Sequence, residues 1–304
     1  MTQDPANMAP SLTVDFGPNR VPVSRIGFGG ATAGLTNYIE AYDAGDAVNR
    51  ETMMAALRRA VELGVNYFDT APGYGDGLAE TLFGEALEGA PVFLATKVAL
   101  TAAGRIRQSL EASLRRLRRN RIDLLQLHGS SYGPDVETVV LRAGGMLEEM
   151  HRLRDEGLVG LTGFTTEDNN AAVYRFIAGG GFDVMQIGYN FLHQHPYDPT
   201  RPFGSLIEAK RRGMSTVTMR TATSGTFQRW IQMVNPANSF DYTPALIQFV
   251  LSNPLVDVAL VGMRDTATVE ANVRIWRDTA NRIDLTELHA RYVDPTNDDP
   301  RHRS

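Results

Sequence analysis

A chain of 304 residues, 43% hydrophobic and 21% charged with 28 glycines, is long enough to bury one large core and reads as a folded, soluble protein. Its net charge of -5 gives no nucleic-acid footprint, no apolar run approaches the roughly 18 residues of a membrane span, and the polar start Met1-Thr2-Gln3-Asp4-Pro5 is no signal peptide, so a cytoplasmic chain without nucleic-acid or membrane partners is expected. The absence of cysteine excludes disulfides, iron–sulfur clusters, thiolate catalysis and cysteine-bound zinc.

Residues 1–10 have no periodic pattern and are expected to be disordered. Segments 12–16 and 21–23 then flank Gly17-Pro18-Asn19-Arg20, which predicts a hairpin. From there short apolar runs alternate with amphipathic ones. The runs predict strands over 25–28, 66–69, 92–96, 122–127, 159–164, 184–187, 215–219 and 258–261. Between and after them the helical period falls over 50–63, 78–87, 106–119, 146–156, 167–178, 202–212, 244–251 and 266–274. The locally basic Arg115-Arg116-Leu117-Arg118-Arg119-Asn120-Arg121 reads as the solvated face and C-terminus of one helix, where cations complement the dipole. Residues 292–304 are expected to form a disordered tail.

Eight strand–helix repeats imply parallel strands with right-handed crossovers, and in about 250 residues they fit a closed (β/α)8 barrel of the TIM type. The reading is one α/β domain over 11–291, with the N-terminal β-hairpin closing the barrel floor. A doubly wound open sheet would want a Gly-x-Gly-x-x-Gly turn after its first strand, and Gly27-Phe28-Gly29-Gly30 lacks the third glycine at the required offset.

Barrels of this kind carry their chemistry at the C-terminal ends of the strands. Reading those ends gives Asp69, Lys97 and His128, about one strand–helix unit apart and expected at a similar height, with Tyr74 on the loop just past Asp69. An aspartate capping a turn, a tyrosine packed in a glycine loop or a core histidine is each ordinary alone. Lys97 is harder to dismiss: of 30 basic residues only Lys97 and Lys210 are lysine, and Lys97 ends an apolar strand where it needs a counter-charge that Asp69 can supply. Lys210, in a charged helix end, reads as incidental.

A phenol has a reference pKa of about 10, which an adjacent ammonium lowers, so Lys97 is expected to bring Tyr74 toward neutrality while Asp69 holds Lys97 charged. His128 would orient a substrate oxygen. There is no obvious nucleophile and no metal cluster, so a cofactor should carry the remaining reactant. Lys97 as a Schiff-base former is one rival; a metal pair from His193 and His195 is another, and those two read instead as exposed loop histidines. Tyr38, Tyr132 and Trp230 are expected substrate contacts, with Tyr42, Asp43, Asn190, Phe191 and His193 as further wall residues.

GVNYFDTAPGYG over 64–75, AETLFGEAL over 79–87, Ala95-Thr96-Lys97-Val98, SLEASLRRL over 109–117 and IDLLQLH over 122–128 together resemble the aldo-keto reductase superfamily. The resemblance implies a (β/α)8 barrel, a catalytic tetrad of Asp69, Tyr74, Lys97 and His128, and an NADP(H)-dependent oxidoreductase acting reversibly on an aldehyde or ketone, with NAD(H) as the alternative cofactor. Gln186 matches the glutamine that holds the nicotinamide carboxamide, and Thr165 and Thr166 replace the family's Ser and Asn. Met219 stands where an aromatic ring often stacks on the nicotinamide, with Arg220, Thr223 and Ser224 as pyrophosphate contacts. Gly262, Arg264 and Asn272 match the adenosine end, where Arg264 would meet a 2′-phosphate. A cofactor sensor with little turnover, as in potassium-channel β-subunits of this superfamily, is the alternative function. The sequence leaves the oligomeric state open.

Overall fold

The computed structural model describes residues 11–197 and 204–285; the disorder expected at 1–10 and 292–304 and the first residues of the helix expected from 202 lie outside them. β1 (Thr13–Phe16) and β2 (Val21–Ser24) pair antiparallel as the expected hairpin. Eight parallel strands follow: β3 (Ile26–Gly29), β4 (Tyr67–Asp69), β5 (Phe93–Ala99), β6 (Ile122–His128), β7 (Val159–Thr166), β8 (Val184–Gly188), β9 (Ser215–Met219) and β10 (Val258–Val261). They pair in chain order, and β10 pairs with both β9 and β3, so the sheet closes into a barrel.

The helices are α1 (Ala31–Gly34), α2 (Ala47–Glu62), α3 (Leu78–Ala86), α4 (Ile106–Leu117), α5 (Pro134–Leu141), α6 (Met146–Asp155), α7 (Ala171–Ala178), α8 (Ser205–Arg211), α9 (Thr226–Val234), α10 (Thr243–Leu251) and α11 (Thr266–Arg277). Caps correct two expected starts. Asp46 accepts from the Val48 and Asn49 amides, so α2 begins before Arg50, and Asn170 accepts from Ala172 and Val173, so α7 begins after Glu167. The sequence reading misses α1, α5 and α9. α1 is only four residues long and α5 shares one connection with α6, whereas α9 carries a legible apolar stripe, Phe227, Trp230, Ile231 and Val234, that the structure leaves without a fully buried residue.

Inward and outward residues build separate cores. Outward faces pack on the helices, while the barrel interior holds Tyr67, Phe93, Leu124, Leu161, Val184, Val217, Val258 and Leu260 around the buried hairpin residue Phe16. The Phe16 ring lies 5.4 Å from Tyr67 and 5.3 Å from Phe93, both edge-on, and thus plugs the floor. Phe16→Ala should therefore cost about 3–5 kcal/mol, read as a lowered urea midpoint with unchanged slope. A loss under about 1 kcal/mol would show that the plug contributes little.

The basic run at the end of α4 is more than a solvated face. Arg116 reaches the fully buried Glu80 of α3, whose other oxygen accepts from Thr96 Oγ1 at 2.5 Å, and Arg119 bonds the Leu87 and Ala90 carbonyls. Lys210 is not incidental either: it pairs with the buried Asp257 below β10. Among the described residues no helix is long and apolar enough to cross a membrane.

Candidate active site

Strand register explains which side chains meet. Asp69, the last residue of β4, pairs with Ala95 of β5. Lys97 is two residues further on and shares that inward face; it pairs with Gln126 of β6, and His128 is again two further on. The groups therefore advance two residues with each strand instead of standing level, and Lys97 lies within β5, not at its end, because β5 continues to Ala99. The same alternation carries the inward face through Gly163 and Thr165 of β7 to Gln186 of β8, and from its partner Val217 to Met219 of β9.

Lys97 Nζ donates to Asp69 Oδ1 at 2.5 Å and to the Thr70 carbonyl at 2.7 Å, and Gln126 Nε2 donates to Asp69 Oδ2 at 2.9 Å. Lys97 and Asp69 are almost wholly buried. Burial by itself pulls the lysine down, but Asp69 and Tyr74 outweigh it, so its pKa is raised and it stays an ammonium. Tyr74 is placed by two loops in backbone contact. A Cβ on Gly34 would sit 2.2 Å from the Tyr74 carbonyl oxygen, and one on Gly75, at φ +66°, would sit 2.3 Å from that of Gly34, so only glycines allow the approach. The tyrosine ring is edge-on to His128 at 5.6 Å, with Lys97 Nζ 5.1 Å from its centroid.

The expected direction for Tyr74 is reversed. Burial pushes the phenol above its ordinary value, and Lys97 offsets only part of that, so Tyr74 is a protonated donor at neutral pH. His128 is lowered to about 4 by burial and by Lys97, and is neutral there.

These groups stand in a cavity of about 430 Å³ at the C-terminal mouth of the barrel. Asp69, Tyr74, Lys97, His128, Tyr38, Thr165, Gln186, Met219, Arg220, Ser224, Gly262, Arg264 and Asn272 all line it. Thr165 is partly committed, since its hydroxyl bonds both the amide and the carbonyl of Gly129. Arg220, at φ +60°, ties Glu167 at 2.7 Å, and its carbonyl accepts from Asn190. Along the same cavity Gln186 Oε1, Thr221 Oγ1 and Arg264 Nη2 are buried with no hydrogen-bond partner.

Four expected site residues do not line it. Thr166 faces away from Thr165 by strand alternation and bonds Ser130 and Asp168. Thr223 accepts from the Phe227 amide at the start of α9. Tyr132 is a core ring, packed on Phe176 and Phe164 with its hydroxyl on the Thr165 carbonyl, and Trp230 projects from α9 into solvent. Asn190, Phe191, His193, Tyr42 and Asp43 also lie off the lining. The His193 and His195 rings are 6.4 Å apart on an exposed loop, and no group of three or more metal-ligating side chains occurs among the described residues.

The sequence reading passed over Thr221, Glu167, Glu40 and Gln126. Gln126 was findable, because counting back two from His128 puts it on the inward face. Thr221 stood in a segment already singled out, and no local signal marked Glu40.

The model of the aldo/keto reductase family matches residues 25–246. L-galactose dehydrogenase of Arabidopsis thaliana is 26% identical over 292 residues, 85% of this chain and 86% of its own. A methylglyoxal reductase of Escherichia coli is 47% identical over 98 residues, about a third of either chain (31% and 34%). Among solved structures, an aldo/keto reductase from Klebsiella pneumoniae in complex with NADP and acetate superposes with a TM-score of 0.71 at 24% identity, covering 95% of this chain and 98% of its own.

Proposed function

The chain belongs to the aldo/keto reductase family, and on that premise we propose that it is an NADP(H)-dependent oxidoreductase reversibly reducing an aldehyde or ketone to the alcohol. The observation that carries this reading is the buried Asp69–Lys97 pair beneath a protonated Tyr74 and a neutral His128, at the mouth of one cavity.

The orphaned atoms support a dinucleotide in that cavity. Gln186 Oε1 is a free acceptor suited to a carboxamide, Thr221 Oγ1 is a free hydroxyl beside Ser224 and Arg220 suited to a pyrophosphate, and Arg264 Nη2 is a free cationic donor beside Gly262 and Asn272. Thr165 would assist Gln186, and Met219 would pack the nicotinamide. A bound reduced nicotinamide supplies hydride to the carbonyl carbon. Tyr74 donates the proton to the carbonyl oxygen, and His128 directs that oxygen with its N–H. Lys97 stabilises the phenolate left behind, and Asp69, held by Gln126, keeps Lys97 charged. Tyr38, at the rim, is the substrate contact this reading keeps.

The test mixes purified protein and NADPH with a carbonyl panel that includes methylglyoxal, and runs L-galactose with NADP in the oxidative direction. Consumption of reduced cofactor is expected, and tight NADPH binding without turnover across the panel would overturn the reading.

The pH dependence follows from the two shifts. Reduction should be level across neutral pH, falling as pH drops through about 4, where His128 takes up a proton, and again only above the ordinary phenol range, where Tyr74 loses one. Oxidation, which needs the phenolate, should climb with pH. A reductive limb near the ordinary histidine value of 6.5 that vanishes in His128→Gln would contradict a neutral His128.

A further inference from the structure

The loop over residues 35–46, between α1 and α2, is a closed unit that supplies Leu35, Tyr38, Ile39 and Glu40 to the cavity lining. The Asn37 amide donates to the Tyr42 carbonyl at 3.0 Å and the Tyr42 amide to Asn37 Oδ1 at 2.9 Å, with Asn37 at φ +53°. Its tip presents two groups to one partner. Glu40 Oε1 is 2.7 Å from Arg264 Nη1, and the Tyr42 ring lies 4.1 Å from the guanidinium carbon. The partners differ in exposure: the Arg264 side chain is 12% exposed and also bonds the Thr32 carbonyl through Nε, whereas Glu40 is 71% exposed and is free to leave. Arg264 Nη2 remains buried without a partner. The other nearby carboxylate, Asp265, is committed to the Thr268 amide and hydroxyl at the start of α11.

We propose that Glu40 sets the cofactor choice of this site, by setting a carboxylate on Nη1 of Arg264 beside the free Nη2 that a ribose 2′-phosphate would take. This rests on the reading of Arg264 as the residue at the adenosine end. A 2′-phosphate must displace the Glu40 carboxylate from the guanidinium or share it with a like charge, and either costs affinity. A 2′-hydroxyl makes no such demand. The loop therefore lowers the preference for NADP(H) over NAD(H) below what Arg264 alone would give.

The test is equilibrium titration of the whole chain with NADPH and with NADH, without substrate, for the wild type, Glu40→Gln, Arg264→Gln and the double variant. Glu40→Gln should tighten NADPH roughly five- to tenfold at low salt while leaving NADH within about twofold. The gain should disappear in the Arg264→Gln background. Equal tightening of both cofactors, no change in either, or weaker NADPH binding would overturn the proposal; the last would make the Glu40–Arg264 pair a clasp over the bound cofactor. If Arg264→Gln alone leaves NADPH binding unchanged, the adenosine-end reading fails and the proposal falls with it. Since Glu40 is a solvent-exposed side chain, its variant should fold as the wild type does.

Discussion

Tyr74→Phe is expected to lower kcat for carbonyl reduction by about 10²- to 10⁴-fold, the range for removing a positioned proton donor, while NADPH affinity changes by less than about threefold. Of the two tyrosines that line the cavity, Tyr74 and Tyr38, it is Tyr74 whose ring lies against both Lys97 and His128. The loss should be similar in kcat and kcat/KM, because the proton moves in the transition state and contributes little to ground-state binding. Stability should hold, since the ring remains and the Gly34–Gly75 approach that places it is untouched. A Phe variant that keeps near-wild-type turnover would remove Tyr74 from the mechanism.

Lys97→Met should fail in two separable ways. It leaves Asp69 buried with an uncompensated charge, which costs about 3–5 kcal/mol in unfolding free energy, and it removes the cation that steadies the Tyr74 phenolate. Adding Asp69→Asn should recover much of the stability, because a neutral amide no longer demands a counter-ion, but none of the turnover. Urea unfolding monitors the first effect and cofactor consumption the second. If activity returned together with stability, Lys97 would be a structural cation and no more.

Both predictions depend on residues that the chain announces and on a context it does not. Asp69, Lys97 and His128 were legible because each closes an apolar run and the runs recur at one strand–helix unit. The scarcity of lysine added weight to Lys97. Gln186 and Thr165 came from the family resemblance, and the strand pairing then puts them on the same inward face while Thr166, one residue on, faces away. The expected roles of Tyr132 and Trp230 were weaker inferences: an aromatic residue after a strand can line a mouth, back its wall or stand in solvent, and nothing within a few residues distinguishes these.

The sequence by itself determined the barrel, the floor hairpin and the inward set of titratable groups, because strand and helix periods are local and a parallel strand obliges its side chains to alternate. Only the tertiary structure decided the proton state of Tyr74, since burial is a property of everything packed around the ring and here outweighs the one nearby ammonium. It also decided which cations are already engaged. Glu40 and Arg264 are 224 positions apart and meet because β10 closes on β3, bringing the loop after the first barrel strand against the segment after the last.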